Sequence, residues 1–170
     1  MKQNVLIALV LVALVGVGWS AYKIRDLKAD IHELRGRTPS QSHTMADVDY
    51  QFSNLWFAGK NANWPLATFY LNETQSHLEW AVRVVPVRPL ANGQKIELGP
   101  MLKSFEDDGL AKLRAAIEKQ DGADFEAAYR TMTEECFACH QAAEKPYLHP
   151  QIPEAPSTRM INMNPNADWP

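Results

Sequence analysis

Cys136 and Cys139 are the only cysteines of the chain, and His140 follows the second at once in the stretch "ECFACHQ". Two thiols separated by two residues, with an imidazole beside them, have four common uses. A structural zinc site takes four Cys or His ligands, usually from two such pairs, and this chain has no second pair. A reactive dithiol sits at a helix N-terminus after a strand, where the helix dipole lowers the thiol pKa. Here a helical pattern runs for more than two turns before Cys136, with no strand–helix–strand pattern ahead of it. A disulfide between residues three apart on a helix has poor geometry. The fourth use is covalent haem attachment: two thiols about one turn apart can add to the two vinyl groups of a haem, and His140 lies where its imidazole can reach the iron. This reading gives Cys136 and Cys139 to covalent attachment of one haem c, and His140 to the iron as proximal axial ligand. A non-haem thiol protein using the same pair is the weaker alternative.

Four amphipathic segments with no convincing alternating strand must position these residues. The first is expected to open at Thr44, with Asp47 three residues on, and carries Val48, Phe52, Leu55 and Trp56 on one stripe. The second begins at "NWPLA", where Pro65 in the first turn costs little, and runs as far as Pro86. The stretch "VPVRPLANGQKIELGP" is too rich in Pro and Gly for a helix and reads as a long crossover. The third segment runs from about Pro100 through Ile117. The fourth, from about Ala123, sets Phe125, Ala128, Tyr129, Met132, Cys136, His140 and Ala143 at steps of three and four. The fold class expected is all-α, an antiparallel four-helix bundle over residues 42–147. Residues 148–170 are expected to form an extended Pro-rich tail, since six of the eleven prolines fall from Pro146 onward and exclude regular helix.

The N-terminus is of another kind. An uncharged run from Val5 to Ala21 follows one early lysine and closes at Lys23 and Arg25. Its length suits an export-signal core and is slightly short for a spanning helix. Residues 1–21 therefore read as a signal peptide or an uncleaved membrane-anchor helix, which puts the remainder outside the cytoplasm, in the periplasm, tethered to the inner membrane if the anchor is kept. Residues 22–41 read as a helical stalk and linker. Ile24, Leu27, Ile31 and Leu34 fall at heptad spacing, so a homodimer through the stalk is a candidate assembly, and "GRTPSQS" breaks the helix.

The position of the cysteine motif in the last of four helices resembles the class II c-type cytochromes, the cytochrome c′ and c556 group. The resemblance covers roughly Thr44 to Tyr147 and rests on "CFACH" together with the helix pattern. The segments "NLWFAGKNANWPLATFYL" and "ECFACHQAAEKPYL" are also similar to those of small exported haem proteins. The anchor, the stalk and the Pro-rich tail depart from the class II pattern. The resemblance implies a distal residue on the first helix, a position that Met45 matches. A thioether there implies a six-coordinate iron suited to electron transfer. Phe52 closing the distal face instead implies a five-coordinate iron open to small gases, as in the c′ type. His43, His77, Met160 and Met163 are further distal candidates, Met132 is expected to pack against the macrocycle, and Arg83 and Arg88 are candidates for a haem propionate.

A net charge of −3 with no long basic block excludes nucleic acid as a partner. No general acid–base or nucleophile constellation surrounds the motif, so an enzyme is not expected. The function expected is periplasmic electron transfer by a mono-haem c-type cytochrome, with a redox protein and the membrane as partners. A five-coordinate gas-binding haem protein is the alternative.

Overall fold

The computed structural model describes residues 2–168, so Met1 and the last two residues of the expected tail lie outside the described residues. The chain divides between Thr38 and Pro39 into two units.

The first unit is one helix, α1 (Lys2–Arg37), so the apolar run and the stalk are continuous. The helix breaks at Thr38–Ser40, inside the expected "GRTPSQS" stretch. Glu33 pairs with Arg37 in the last turn and Thr38 Oγ1 donates to the Leu34 carbonyl at 3.1 Å, which carries the helix past the glycine. Leu11, Val12, Leu14, Val15, Val17 and Trp19 are exposed on α1, as are Ile24, Leu27, Ile31 and Leu34. Among the described residues, no helix is long and apolar enough to cross a membrane.

The second unit is built from α2 (Gln41–Lys60), α3 (Trp64–Val84), α4 (Leu98–Asp107), α5 (Gly109–Lys119) and α6 (Gly122–Ala142), with a short antiparallel hairpin of β1 (Val87–Pro89) and β2 (Lys95–Glu97). It is predominantly helical, as the sequence pattern implies. Side-chain caps set three of the helix starts. Ser40 accepts from the His43 amide, so α2 starts ahead of the expected Thr44. Asn63 caps α3 by accepting from Leu66 N, and Pro65 occupies its first turn. Asp121 caps α6 by accepting from both Ala123 N and Asp124 N.

Two expectations need correction. The crossover holds the β1–β2 hairpin, with Arg88 opposite Ile96. The expected third helix is two helices broken at Asp108, at an Asp-Gly pair, and α6 lies close beside the break: a Cβ on Gly109 would run into Glu135 and Met132.

The helix α2 packs along α3 and α5 along α6, while α3 touches α5 and α2 touches α6. Leu55, Ala58, Ala67, Leu113, Phe125 and Met132 are fully buried between them. Aromatic rings fill the α2–α6 contact. Phe52 stacks on Tyr129 with ring centres 4.2 Å apart, and Trp56 lies 4.9 Å from Tyr129. At one end Gly59 lets α2 approach closely, since a Cβ there would meet the Phe125 ring. Lys60 pairs with Glu126 beside it. Phe52 with Tyr129 and Gly59 with Phe125 make α2 and α6 antiparallel.

Candidate haem-attachment site

The helix α6 carries Cys136, Cys139 and His140 in its last two turns, and both cysteines are free. Positions three apart on a helix place their Cβ atoms on one face, about 5–6 Å apart, too far for the Cβ spacing of about 3.8 Å that a disulfide prefers. Both thiols pack against the buried core of the second unit. Burial pushes the Cys136 thiol up to about 12, with Cys139 and Glu135 adding to it. Cys139 is also raised by burial, an effect that the charge of Arg88 partly offsets. Reactive dithiols require the opposite shift. Among the described residues, no group of three His, Cys, Asp or Glu side chains is placed to hold a bare metal ion.

His140 is oriented by the way α6 ends. Lys145 N donates to the His140 carbonyl at 2.8 Å and Glu144 N to that of Gln141 at 3.0 Å. These two bonds are the Schellman pattern, which needs a left-handed residue at its centre. Glu144 supplies it at φ 57°, where glycine would be usual. Pro146 then prevents helix from resuming, and Leu148 N folds back onto the Lys145 carbonyl at 3.0 Å. The Leu148 carbonyl oxygen is thereby brought 2.8 Å from His140 Nδ1. A carbonyl can only accept, so Nδ1 carries the proton, and the lone pair of the neutral ring is on Nε2. Such a bond fixes tautomer and ring orientation in metal-binding histidines. The donor set therefore fits a haem c: two thiols on one apolar face, and an imidazole that keeps Nε2 for iron.

The antiparallel register places the distal candidates. Met45 precedes Phe52 by two turns, and Cys136 follows Tyr129 by two turns, each about 10 Å along its helix. Since Phe52 stacks on Tyr129, Met45 comes to the level of Cys136. Its side chain is half-buried against the core. Phe52 is held two turns away, its carbonyl accepting from Tyr129 Oη at 2.9 Å.

The other candidates are engaged elsewhere. His43 is exposed and bonded through Nδ1 to Ser40 Oγ at its own helix cap, 2.8 Å away. His77 has its two ring nitrogens facing Asp47 and Glu73, at 3.9 and 3.8 Å. Met132 is buried in the core. Met160 is exposed, and Met163 is buried where its carbonyl accepts from Asn63 Nδ2 at 3.3 Å, beside the α2–α3 turn. That turn adjoins the start of α6, so Met163 lies at the opposite end from Cys136. Arg83 stacks over the Trp80 ring at 5.4 Å.

Sequence reasoning did not find the Leu148 carbonyl, which as a backbone group leaves no residue-type signal. It also missed the Glu144 carboxylate, whose Oε2 accepts from Ala91 N at 2.6 Å. Comparison with protein-family models, with curated proteins and with solved structures finds no match to this chain.

Proposed function

We propose that the chain is a mono-haem c-type cytochrome of class II type, an antiparallel four-helix bundle that passes single electrons in the periplasm. The observation that carries this reading is the His140 Nδ1 bond to the Leu148 carbonyl, one residue after the free Cys136–Cys139 pair. Haem supplies a one-electron redox centre when bound.

The chain's own residues do the rest. Cys136 and Cys139 would hold the haem covalently, through thioether bonds made by adding each S–H across a vinyl group, which needs no oxidant. His140 would present Nε2 to the iron, and the Leu148 carbonyl fixes the orientation of its ring. Met45, level with Cys136, would be the distal ligand, and a thioether there would raise the reduction potential. The packed aromatic layer of Phe52, Trp56 and Tyr129 excludes water from the buried edge. His140 and Met45 would hold the iron between them, an arrangement suited to electron transfer.

The N-terminal helix holds the protein at the membrane. Its exposed apolar side chains lead to Trp19 and Tyr22, then to Lys23 and Arg25, the order of an interfacial boundary. Tethering raises the effective concentration of the carrier near membrane-bound redox proteins.

The test is expression with haem-maturation machinery, followed by denaturing electrophoresis and a haem stain. Wild type should retain stain, and the double variant Cys136→Ser, Cys139→Ser should lose it. An unstained wild-type band overturns the reading in favour of a non-haem protein.

A further inference from the structure

Glu144 stands where local rules call for another residue. It holds the left-handed position of the turn that ends α6, at φ 57°, a conformation that is unfavourable for a residue with a Cβ and free for glycine. Helices that end in this pattern most often take glycine there. A residue that breaks a local preference is compensated elsewhere, and Glu144 is compensated through its carboxylate. Its Oε2 accepts from the Ala91 amide at 2.6 Å, across 53 residues of sequence.

The donor is itself fixed. Ala91 lies in the loop of the β1–β2 hairpin, which closes through Leu90 N on the Gln94 carbonyl at 2.9 Å and Gly93 N on the Leu90 carbonyl at 3.0 Å. The base of the hairpin is tied to α2, where Arg88 Nη1 donates to Gln41 Oε1 at 2.9 Å. A loop held at its base and closed at its tip thus grips the turn after α6.

That turn is the path to His140. The backbone at Glu144 sets the direction of Lys145, whose carbonyl accepts from Leu148 N at 3.0 Å. The Leu148 carbonyl in turn lies 2.8 Å from His140 Nδ1. A rotation at Glu144 would swing Leu148 off the ring.

We propose that Glu144 is a positioning residue for His140: its bond to Ala91 holds the turn so that the Leu148 carbonyl stays on Nδ1. The use of that ring as an iron ligand rests on the haem reading above.

The test uses the full chain matured with haem and carrying isotope-labelled histidine. Exchange of the His140 Nδ1–H with solvent is followed by NMR in the reduced state. Glu144→Ala removes the acceptor and should speed this exchange about three- to tenfold, the worth of one exposed hydrogen bond. The backbone amides of Phe125 and Met132 in the core of α6 should keep their wild-type rates. Glu144→Gln retains an oxygen for the Ala91 amide and should return the Nδ1–H rate close to wild type. Glu144→Gly relieves the left-handed backbone but offers no acceptor, and should exchange as fast as Glu144→Ala. An unchanged rate in Glu144→Ala, with haem attached, overturns the assignment and leaves the haem reading standing. A wild-type rate in Glu144→Gly also overturns it, because the backbone alone would then set the turn. Equal acceleration at Nδ1 and at Phe125 and Met132 overturns it too, making Glu144 a general stabiliser of the fold. A wild-type chain that holds no covalent haem overturns both.

Discussion

Under the proposed haem reading His140 would ligate iron in one tautomer only, and the residues that set this tautomer lie downstream of the motif. The turn at Glu144 and the stop at Pro146 bring the Leu148 carbonyl onto Nδ1, so the proximal geometry is built by the chain after the helix. In the proposed site the distal candidate is Met45. Met45→Ala should convert a low-spin spectrum to a high-spin one that binds carbon monoxide; an unaltered low-spin spectrum would remove Met45 from the role. Next to Cys136, Glu135 has its carboxyl pushed up to about 6 by burial and by the neighbouring Asp108. A raised carboxyl stabilises the fold when protonated. Its contribution is full below about 4.5, the ordinary glutamate value, and is lost as pH rises through about 6. Glu135→Gln should therefore flatten the dependence of the melting temperature on pH across that window. A curve parallel to wild type would show that this carboxyl titrates normally.

At the scale of elements, the Pro-rich segment after α6 is a strap seated on the helices. Met163 is buried in the core, and Thr158 N donates to the buried Asn54 Oδ1 at 3.2 Å. Met163→Ala should cost about 2–4 kcal/mol, read by chemical denaturation; a change near zero would mean that the strap is loose. Such packing was only half legible in the sequence. Prolines exclude a helix from this stretch, but they do not say whether the extended chain finds a surface. Helix starts at Asn63 and Asp121 were readable because their caps are local. The close approach of Glu135 and Met132, on another helix, to Gly109 beside the break was not. Nor was the hairpin, whose strands of three residues each are too short to show alternation. The cysteine pair and His140 were legible from spacing alone. The neighbours on the turn after α6, Glu144 and Leu148, act through long-range or backbone bonds that no local pattern encodes.

For the whole molecule, the division between Thr38 and Pro39 separates a single exposed helix from a unit with its own buried core. The proposed tether and the proposed redox site therefore belong to different units, and each is testable without the other. A chain that keeps an export signal but begins its mature sequence at Pro39 should fold, retain haem and move from the membrane to the soluble periplasmic fraction. Membrane association that persists would assign the tether to the second unit. Net charge is small, at −3, so partner choice is expected to follow local patches around the site more than the overall field.

The most direct measurement is the visible absorption spectrum of the full chain matured with haem, taken oxidised, reduced, and reduced under carbon monoxide. The account requires a covalently held haem with a sharp low-spin reduced spectrum that carbon monoxide leaves unchanged. A high-spin spectrum that shifts with carbon monoxide would contradict the six-coordinate electron carrier and make the protein a gas-binding one. The absence of any haem spectrum would contradict the whole account and return Cys136 and Cys139 to thiol chemistry.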